Sequence, residues 1–338
     1  MAASIAYRPT VDRDVMRRCT QVSNWRSIAT CFAIWALVVG LALVGGRLSG
    51  YWLALPAMLL ISGLQHHLLI MMHDGAHGLI HRRRWVNELA SDVFCAIPFL
   101  TLTRFYRAFH LAHHKHTGVR GLDPEVEMYE SMSFRYEKRT PLRLTLMFLA
   151  DLCFVNFVRY VGFLLRFTAS RELKPGPRDV ALNLAVWGPL AAAAIAFGFW
   201  QDVLLFWFVP YATFTVLIAK LHGYGEHNGA EGPSEYDRTW EHEFGVVANY
   251  FIYPLSSGQH LEHHLFPRVP WYHLPALKRE LLQDEEHRRR AEPITVDGYF
   301  LGGRTILGAM LLEPRRPEAE VIRLEPRMPS ELTSSAAA

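Results

Sequence analysis

Seventeen histidines in a chain of 338 residues matter less for their number than for their spacing. His110, His113 and His114 form an H-x-x-H-H group, and His260, His263 and His264 repeat it near the other end of the chain. On a helix, residues three and four apart share a face, so the first imidazole of each trio can stand beside the other two. His73 and His77 have the i,i+4 spacing that puts two ligands on one helix face. A lone histidine is ordinarily a hydrogen-bonded structural residue, but three groups with matched spacing make that reading poor. Imidazole is a common ligand for Zn, Cu, Fe and Ni. A closed zinc site takes about four ligands, so these imidazoles ask for two metal ions.

The elements that must position them are apolar. Hydrophobic residues make up 51% of the chain and mean hydropathy is +0.08. They are gathered into long runs, the mark of membrane spans. Four spans are expected, at about 28–46, 51–72, 180–200 and 203–221. The first reads as a span and not as a cleavable signal, because it is long and lacks a convincing cleavage site. The second and fourth run straight into histidine segments, at His73 and at His222 to His227. Leu89 to Thr103 is apolar but too short to cross, so it is expected as a re-entrant or buried segment. Residues 1–27 form a polar N-terminal segment, 28–312 the membrane domain, and 313–338 a tail rich in Pro, Glu, Arg and Ser that is expected to be disordered.

The short links at Arg47 to Gly50 and at Gln201-Asp202 carry almost no positive charge. The N-terminus, the middle region and the C-terminal region carry nearly all of it. The positive-inside rule places those three in the cytoplasm. Two hairpins of spans then put every histidine group on one face. Leu144 to Phe167, interrupted by Asp151, Asn156, Arg159 and Arg166, is placed along the interface as an amphipathic helix. Were it to span, the last trio would face the other side. The expected architecture is all-α and integral to the membrane: four transmembrane helices in two hairpins, with a cytoplasmic helical cap holding a di-metal site. The abundance of Arg and Ala hints at a GC-rich bacterial genome, hence a bacterial inner membrane. The net charge of +3 is too small to argue for nucleic acid. Four scattered cysteines give neither a disulfide framework nor an iron–sulfur site.

Zinc has no redox chemistry, and a zinc hydrolase has no use for this many ligands. Many neutral ligands around two metals, just beyond the ends of two spans, suit O2 activation within reach of an acyl chain rising from the bilayer. The expected reaction is oxidation of an unactivated C–H bond with O2.

His73-Asp-Gly-Ala-His77, His110-x-x-His113-His114 and Gln259-His260-Leu-Glu-His263-His264-Leu-Phe-Pro267 resemble the three histidine boxes of the membrane fatty acid desaturase family, in order and in interval. Tyr106-Arg107 before the second box and Asp123-Pro124 after it strengthen the likeness, which covers roughly residues 28 to 275. Glu226-His227-x-Gly229 is similar to the extra histidine element of this family and of the related alkane hydroxylases. The resemblance implies nine ligands: His73, His77, His110, His113, His114, His227, His260, His263 and His264. It also implies two irons, four spans and a cytoplasmic cap. The chain departs from the family at Gly118, His81 and His116, which bears on substrate and leaves the metal site intact.

His227 belongs to no box, but it lies about 9 Å beyond Leu221 along a helix, level with the first pair. His222 is lower and turned about 140° away, so it is not expected to ligate. His66 and His67 are expected to face the bundle or interface, and His242, His273 and His287 the surface or the partners of ligands. Asp74, Glu226 and Glu262 sit beside ligands and can orient imidazoles. Gly223-Tyr-Gly225 lacks the third glycine of a dinucleotide fingerprint and follows a span. Electrons are therefore expected from a separate ferredoxin or cytochrome, steered by the basic face. A hydroxylase on the same site is the nearest alternative. A metal transporter is remote, because the spans 28–46 and 180–200 hold no acidic, basic or histidine residue.

Overall fold

The computed structural model describes residues 7–132, 140–170, 173–227, 232–299 and 305–306, and the chain in it is mostly helical. The expected tail at 313–338 lies outside the described residues, as does Gly229. Four helices are long and apolar enough to cross a membrane: Arg26–Ser49, Ala54–His77, Pro177–Ala196 and Trp200–His227. They overlap the four ranges read from hydropathy. The chain begins with α1 (Arg13–Cys19), capped by the Asp12 side chain, and α2 (Arg26–Gly45). Helix α3 (Ala54–His77) runs unbroken from the second apolar run through the first histidine pair and stops at Gly78, whose φ of 80° only glycine adopts freely.

The segment that is too short to cross folds as α4 (Arg84–Ser91), a π turn at Asp92–Ala96 and a 3-10 turn at Ile97–Phe99. It then breaks by 90° into α5 (Thr103–His116), with Leu100 left-handed near the corner at φ 60°. Cys95, Ala96 and Ile97 are completely buried, so the segment is an internal wedge. After α6 (Pro124–Ser131), the Leu144 to Phe167 run is not one helix. It is α7 (Pro141–Leu152) and α8 (Val155–Ser170), bent by 74°. The cause is polar: Asp151, fully buried at the break, is paired with Lys220 and accepts from Asn156 Nδ2 at 2.8 Å. Phe154 takes φ 64° to make the corner.

Helix α9 (Pro177–Ala196) is followed by α10 (Trp200–Val203) and α11 (Val216–His227), joined into one long helix by π turns at Leu204–Phe208 and Tyr211–Thr215. Pro210 sits between those turns. It has no N–H to donate and its ring clashes with the carbonyl one turn back, and wider turns relieve both faults. The remaining helices are short: α12 (Glu235–Arg238), α13 (Val246–Phe251), α14 (His260–Leu265), α15 (Leu274–Leu281) and α16 (Glu285–Ala291). Two-residue strands β1 (Glu241–His242) and β2 (Thr295–Val296) pair in parallel. The N-terminal segment is not merely polar. Val15, Met16 and Cys19 place an apolar stripe of α1 against Leu274, Leu277 and Leu281 of α15.

The main core joins α2 and α3 to the wedge and to Phe206, Trp207 and Tyr211. Its joint with the histidine region is at Gly75. The Gly75 carbonyl accepts from Asn87 Nδ2 at 2.9 Å and from Arg107 at 3.0 Å, and Arg107 also donates to the Ala76 carbonyl and to Glu88. A Cβ at Gly75 would lie 2.1 Å from Ser91 Oγ, whereas one at Gly40 would meet nothing. Gly75→Ala is expected to cost about 1–3 kcal/mol by overpacking, and Gly40→Ala to leave stability unchanged or slightly raised. Thermal unfolding of both variants in detergent checks the contrast.

Candidate metal centre

Five imidazoles converge at the end of α3. His73 and His77 come from α3, His110 and His114 from α5, and His263 from α14, with their ring nitrogens all within 4.8 Å of one another. The Nε2 atoms form a chain: His77 to His110 at 2.9 Å, His110 to His114 at 2.9 Å, His114 to His263 at 3.0 Å and His263 to His73 at 3.0 Å. Each Nε2 has one proton or one lone pair, so it can make one hydrogen bond. A chain in which three members each meet two neighbours cannot be satisfied that way. Nitrogens bound about 2.1 Å from one ion and set at right angles stand ~3 Å apart. The residues present therefore fit a cation better than they fit one another.

A second group gathers beside the first. His113, His227 and His264 form a buried trio, and His260 Nε2 lies 2.8 Å from His227 Nε2. His264 Nε2 is buried without a hydrogen-bond partner, an orphaned polar atom that a cation would satisfy. The nine expected histidines are thus brought together as five and four, a division their spacing does not reveal. The split follows from helix geometry: adjacent imidazoles in His113-His114 and in His263-His264 leave their helices about 100° apart, so each box serves both groups.

The back of each ring in the second group is held. His113 Nδ1 lies 3.0 Å from Asp123 Oδ2 and 3.3 Å from Glu125, and Asp123 is itself fixed by the Gly118 and Glu125 N–H groups. His227 Nδ1 faces the Arg238 carbonyl at 2.8 Å, and His260 Nδ1 faces Glu226 at 2.8 Å. His264 Nδ1 is 3.1 Å from Glu235. Such partners fix the tautomer and leave Nε2 free to bind. Glu226 does this for His260, as expected, and is held in turn by His222 Nε2 at 2.8 Å, while His222 Nδ1 meets the Ile252 carbonyl. His222 is in neither group. Asp74 is 3.5 Å from His73 Nδ1 and accepts from the Trp271 N–H. Among the described residues Glu262 orients no imidazole; it faces Glu241 near Lys278. Glu235 gave no sequence signal, and Asp123 was legible only as part of a motif.

Burial, reinforced by neighbouring imidazoles, holds His110, His114, His263 and His264 well below the usual histidine range, in the neutral form a metal needs. Burial also pulls on His113, but Glu125 and Asp123 outweigh it and lift that ring to about 9. An ion binding there displaces a proton. Of the remaining histidines, His66 is buried with Nδ1 on the Phe251 carbonyl, and His67 bonds back to Gly63. His242 and His287 are not at the surface: both are buried, the first against Tyr253, the second on the Tyr236 hydroxyl at 2.8 Å. His81 and His116 stand outside both groups.

A cavity of about 350 Å³ reaches both groups, within the usual ligand-pocket range of roughly 300–1,000 Å³. Its walls are largely apolar, with Leu69, Met72, Phe109, Met128, Leu164 and Val216 among them, and His73, His110, His113, His260 and His263 at one side. Exposed Leu100, at the corner before α5, and exposed Leu165, in the second half of α8, are among its lining residues.

The chain matches the family model for fatty acid desaturases over residues 49–292. It is 24% identical over 264 residues to dihydrorhizobitoxine desaturase of Bradyrhizobium elkanii, covering 75% of this chain and 74% of that protein. It is 27% identical over 286 residues to a probable fatty acid desaturase of Sorghum bicolor, covering 77% and 71%. It is 25% identical over 307 residues to the sn-1 acyl-lipid omega-3 desaturase (ferredoxin) of Synechocystis, covering 82% and 81%. Four apolar helices, histidine clusters and a family match over most of the length agree: the chain belongs to the fatty acid desaturase family and is an oxidoreductase of the desaturase type.

Proposed function

We propose that the protein is an O2-dependent di-iron desaturase that introduces a C=C bond into an acyl-chain-type lipid or related aliphatic substrate. The observation that carries this reading is the convergence of imidazoles as five and four against the wall of an apolar cavity. His73, His77, His110, His114 and His263 would hold one iron, and His113, His227, His260 and His264 the other. When bound, the irons supply the redox chemistry by which O2 oxidises a C–H bond, for which imidazole is a suitable ligand. The chain's own part is positional. Asp123, Glu226, Glu235 and the Arg238 carbonyl fix the rings, while Phe109, Leu164 and Val216 hold a methylene run beside them and exclude water. The balance is R–CH2–CH2–R′ + O2 + 2 e⁻ + 2 H⁺ → R–CH=CH–R′ + 2 H2O. The electrons come from a separate carrier, as the ferredoxin in the name of the Synechocystis relative suggests.

Residues 28–312 act as one membrane domain in this reading. Its four spans form two hairpins, and its histidine cap and both termini face the cytoplasm of a bacterial inner membrane. The two links with almost no positive charge belong on the far side, where Arg47 meets Asp202 at 2.8 Å and Tyr51 meets it at 2.7 Å.

Mass profiling of lipids and small metabolites from cells with and without the gene tests the reading. A product with two hydrogens fewer is expected. A product carrying one added oxygen would favour the hydroxylase instead, which needs the same ligands and differs in substrate placement. The profile must reach beyond acyl lipids, because the Bradyrhizobium relative is named for dihydrorhizobitoxine.

A further inference from the structure

A second cleft, of about 420 Å³, lies outside the histidine site. Ser23, Asn24, Arg26, Arg82, Tyr272 and His273 line it, together with Trp25 and Gln21, and no carboxylate does. Its frame is fixed. The Tyr272 hydroxyl accepts from the Ser23 N–H at 2.6 Å, and Arg82 donates from Nε to the Val22 carbonyl at 2.6 Å and from its N–H to Asn24 Oδ1 at 3.4 Å. The Arg26 guanidinium lies over the Tyr272 ring, 5.2 Å from its centre. Among the described residues, neither guanidinium has a carboxylate partner.

The height of the cleft follows from packing. Helices α2 and α3 touch at Gly45 and Ala57, where an added Cβ would lie 2.3 Å away. Counting back along α2 from that contact brings Arg26 level with Ala76, at the histidine end of the spans. Arg26 is the first residue of an apolar span, so the cleft sits where hydrocarbon gives way to headgroups. Trp25, on the cleft wall, is 67% exposed, as aromatic residues at a bilayer surface commonly are. Two guanidiniums facing one acid-free cleft at that depth suit a phosphate, which arginine binds through paired N–H groups.

We propose that this cleft binds the phosphate of a net-anionic phospholipid headgroup, a site separate from the one that takes the substrate. The ligand braces the turn at Trp271–His273, whose Trp271 N–H holds Asp74 beside His73. The proposal needs only that the chain is embedded in a membrane and is independent of the reaction.

The test is native mass spectrometry of the full purified chain in detergent, titrated with dioctanoylphosphatidylglycerol or dioctanoylphosphatidylcholine, with and without millimolar inorganic phosphate. The anionic lipid is expected to bind at roughly tenfold lower concentration. That preference is expected to vanish in Arg26→Gln/Arg82→Gln and to survive added phosphate. Equal binding of the two lipids, an unchanged preference in the variant, or displacement by inorganic phosphate would each overturn it, the last pointing to a free-phosphate site. Arg82 also holds the Val22 carbonyl. Should the double variant not fold, Arg26→Gln decides, since among the described residues the Arg26 side chain contributes a ring contact and its charge; it is expected to weaken the preference by several fold, and an undiminished preference refutes the site.

Discussion

His227→Ala is expected to lose close to one metal ion per chain and to lower turnover by roughly 100-fold or more, while the protein still folds and inserts. Its Nε2 lies 2.8 Å from that of His260, and the ring also belongs to the buried trio with His113 and His264. The informative comparison is His222→Ala, five positions earlier on α11. His222 reaches Glu226 and the Ile252 carbonyl and neither histidine group, so its loss removes one of two contacts to Glu226 Oε1 but leaves the one from His260 Nδ1. That variant is expected to keep both ions and to bind one of them up to roughly tenfold more weakly. Elemental analysis of the two purified variants distinguishes them; metal lost from His222→Ala and retained in His227→Ala would reverse the assignment.

A comparably large effect is expected from filling the cavity without touching a ligand. Ala219 lines its wall on α11, with Val216 one turn before it. Ala219→Trp places an indole where the aliphatic chain is held, so turnover is expected to fall by roughly 100-fold, because small displacements of a reacting carbon are costly. The metal content is expected to stay unchanged. Activity and metal measured on one preparation separate this from misfolding: retained metal with full activity would mean that the substrate lies elsewhere.

The order of spans and the histidine groups were legible because both rest on short-range periodicity. The largely apolar run from Ile28 to Gly46 marks α2 wherever it folds, and H-x-x-H-H states its own helical geometry. Long-range consequences were not legible. Asp151 looked like an interruption of an interfacial helix; its pairing with Lys220, distant in sequence, is what breaks that run into α7 and α8. The stripe on α1 has no meaning until α15 is beside it. Glu235 reaches His264 only through the return of the chain after α11. His287, in a run of charges, reads as a surface histidine or the partner of a ligand, and its burial on Tyr236 is set by a contact between distant segments. The division into five and four depends on three helices meeting at fixed rotations, and spacing within one helix cannot supply that.

The most direct measurement is the metal content of the purified full chain, with each ion identified, after expression in iron-replete medium. Two irons per chain are expected, one for each group of imidazoles. One ion per chain at saturation, or stoichiometric zinc that iron reconstitution does not replace with recovery of activity, would contradict the account.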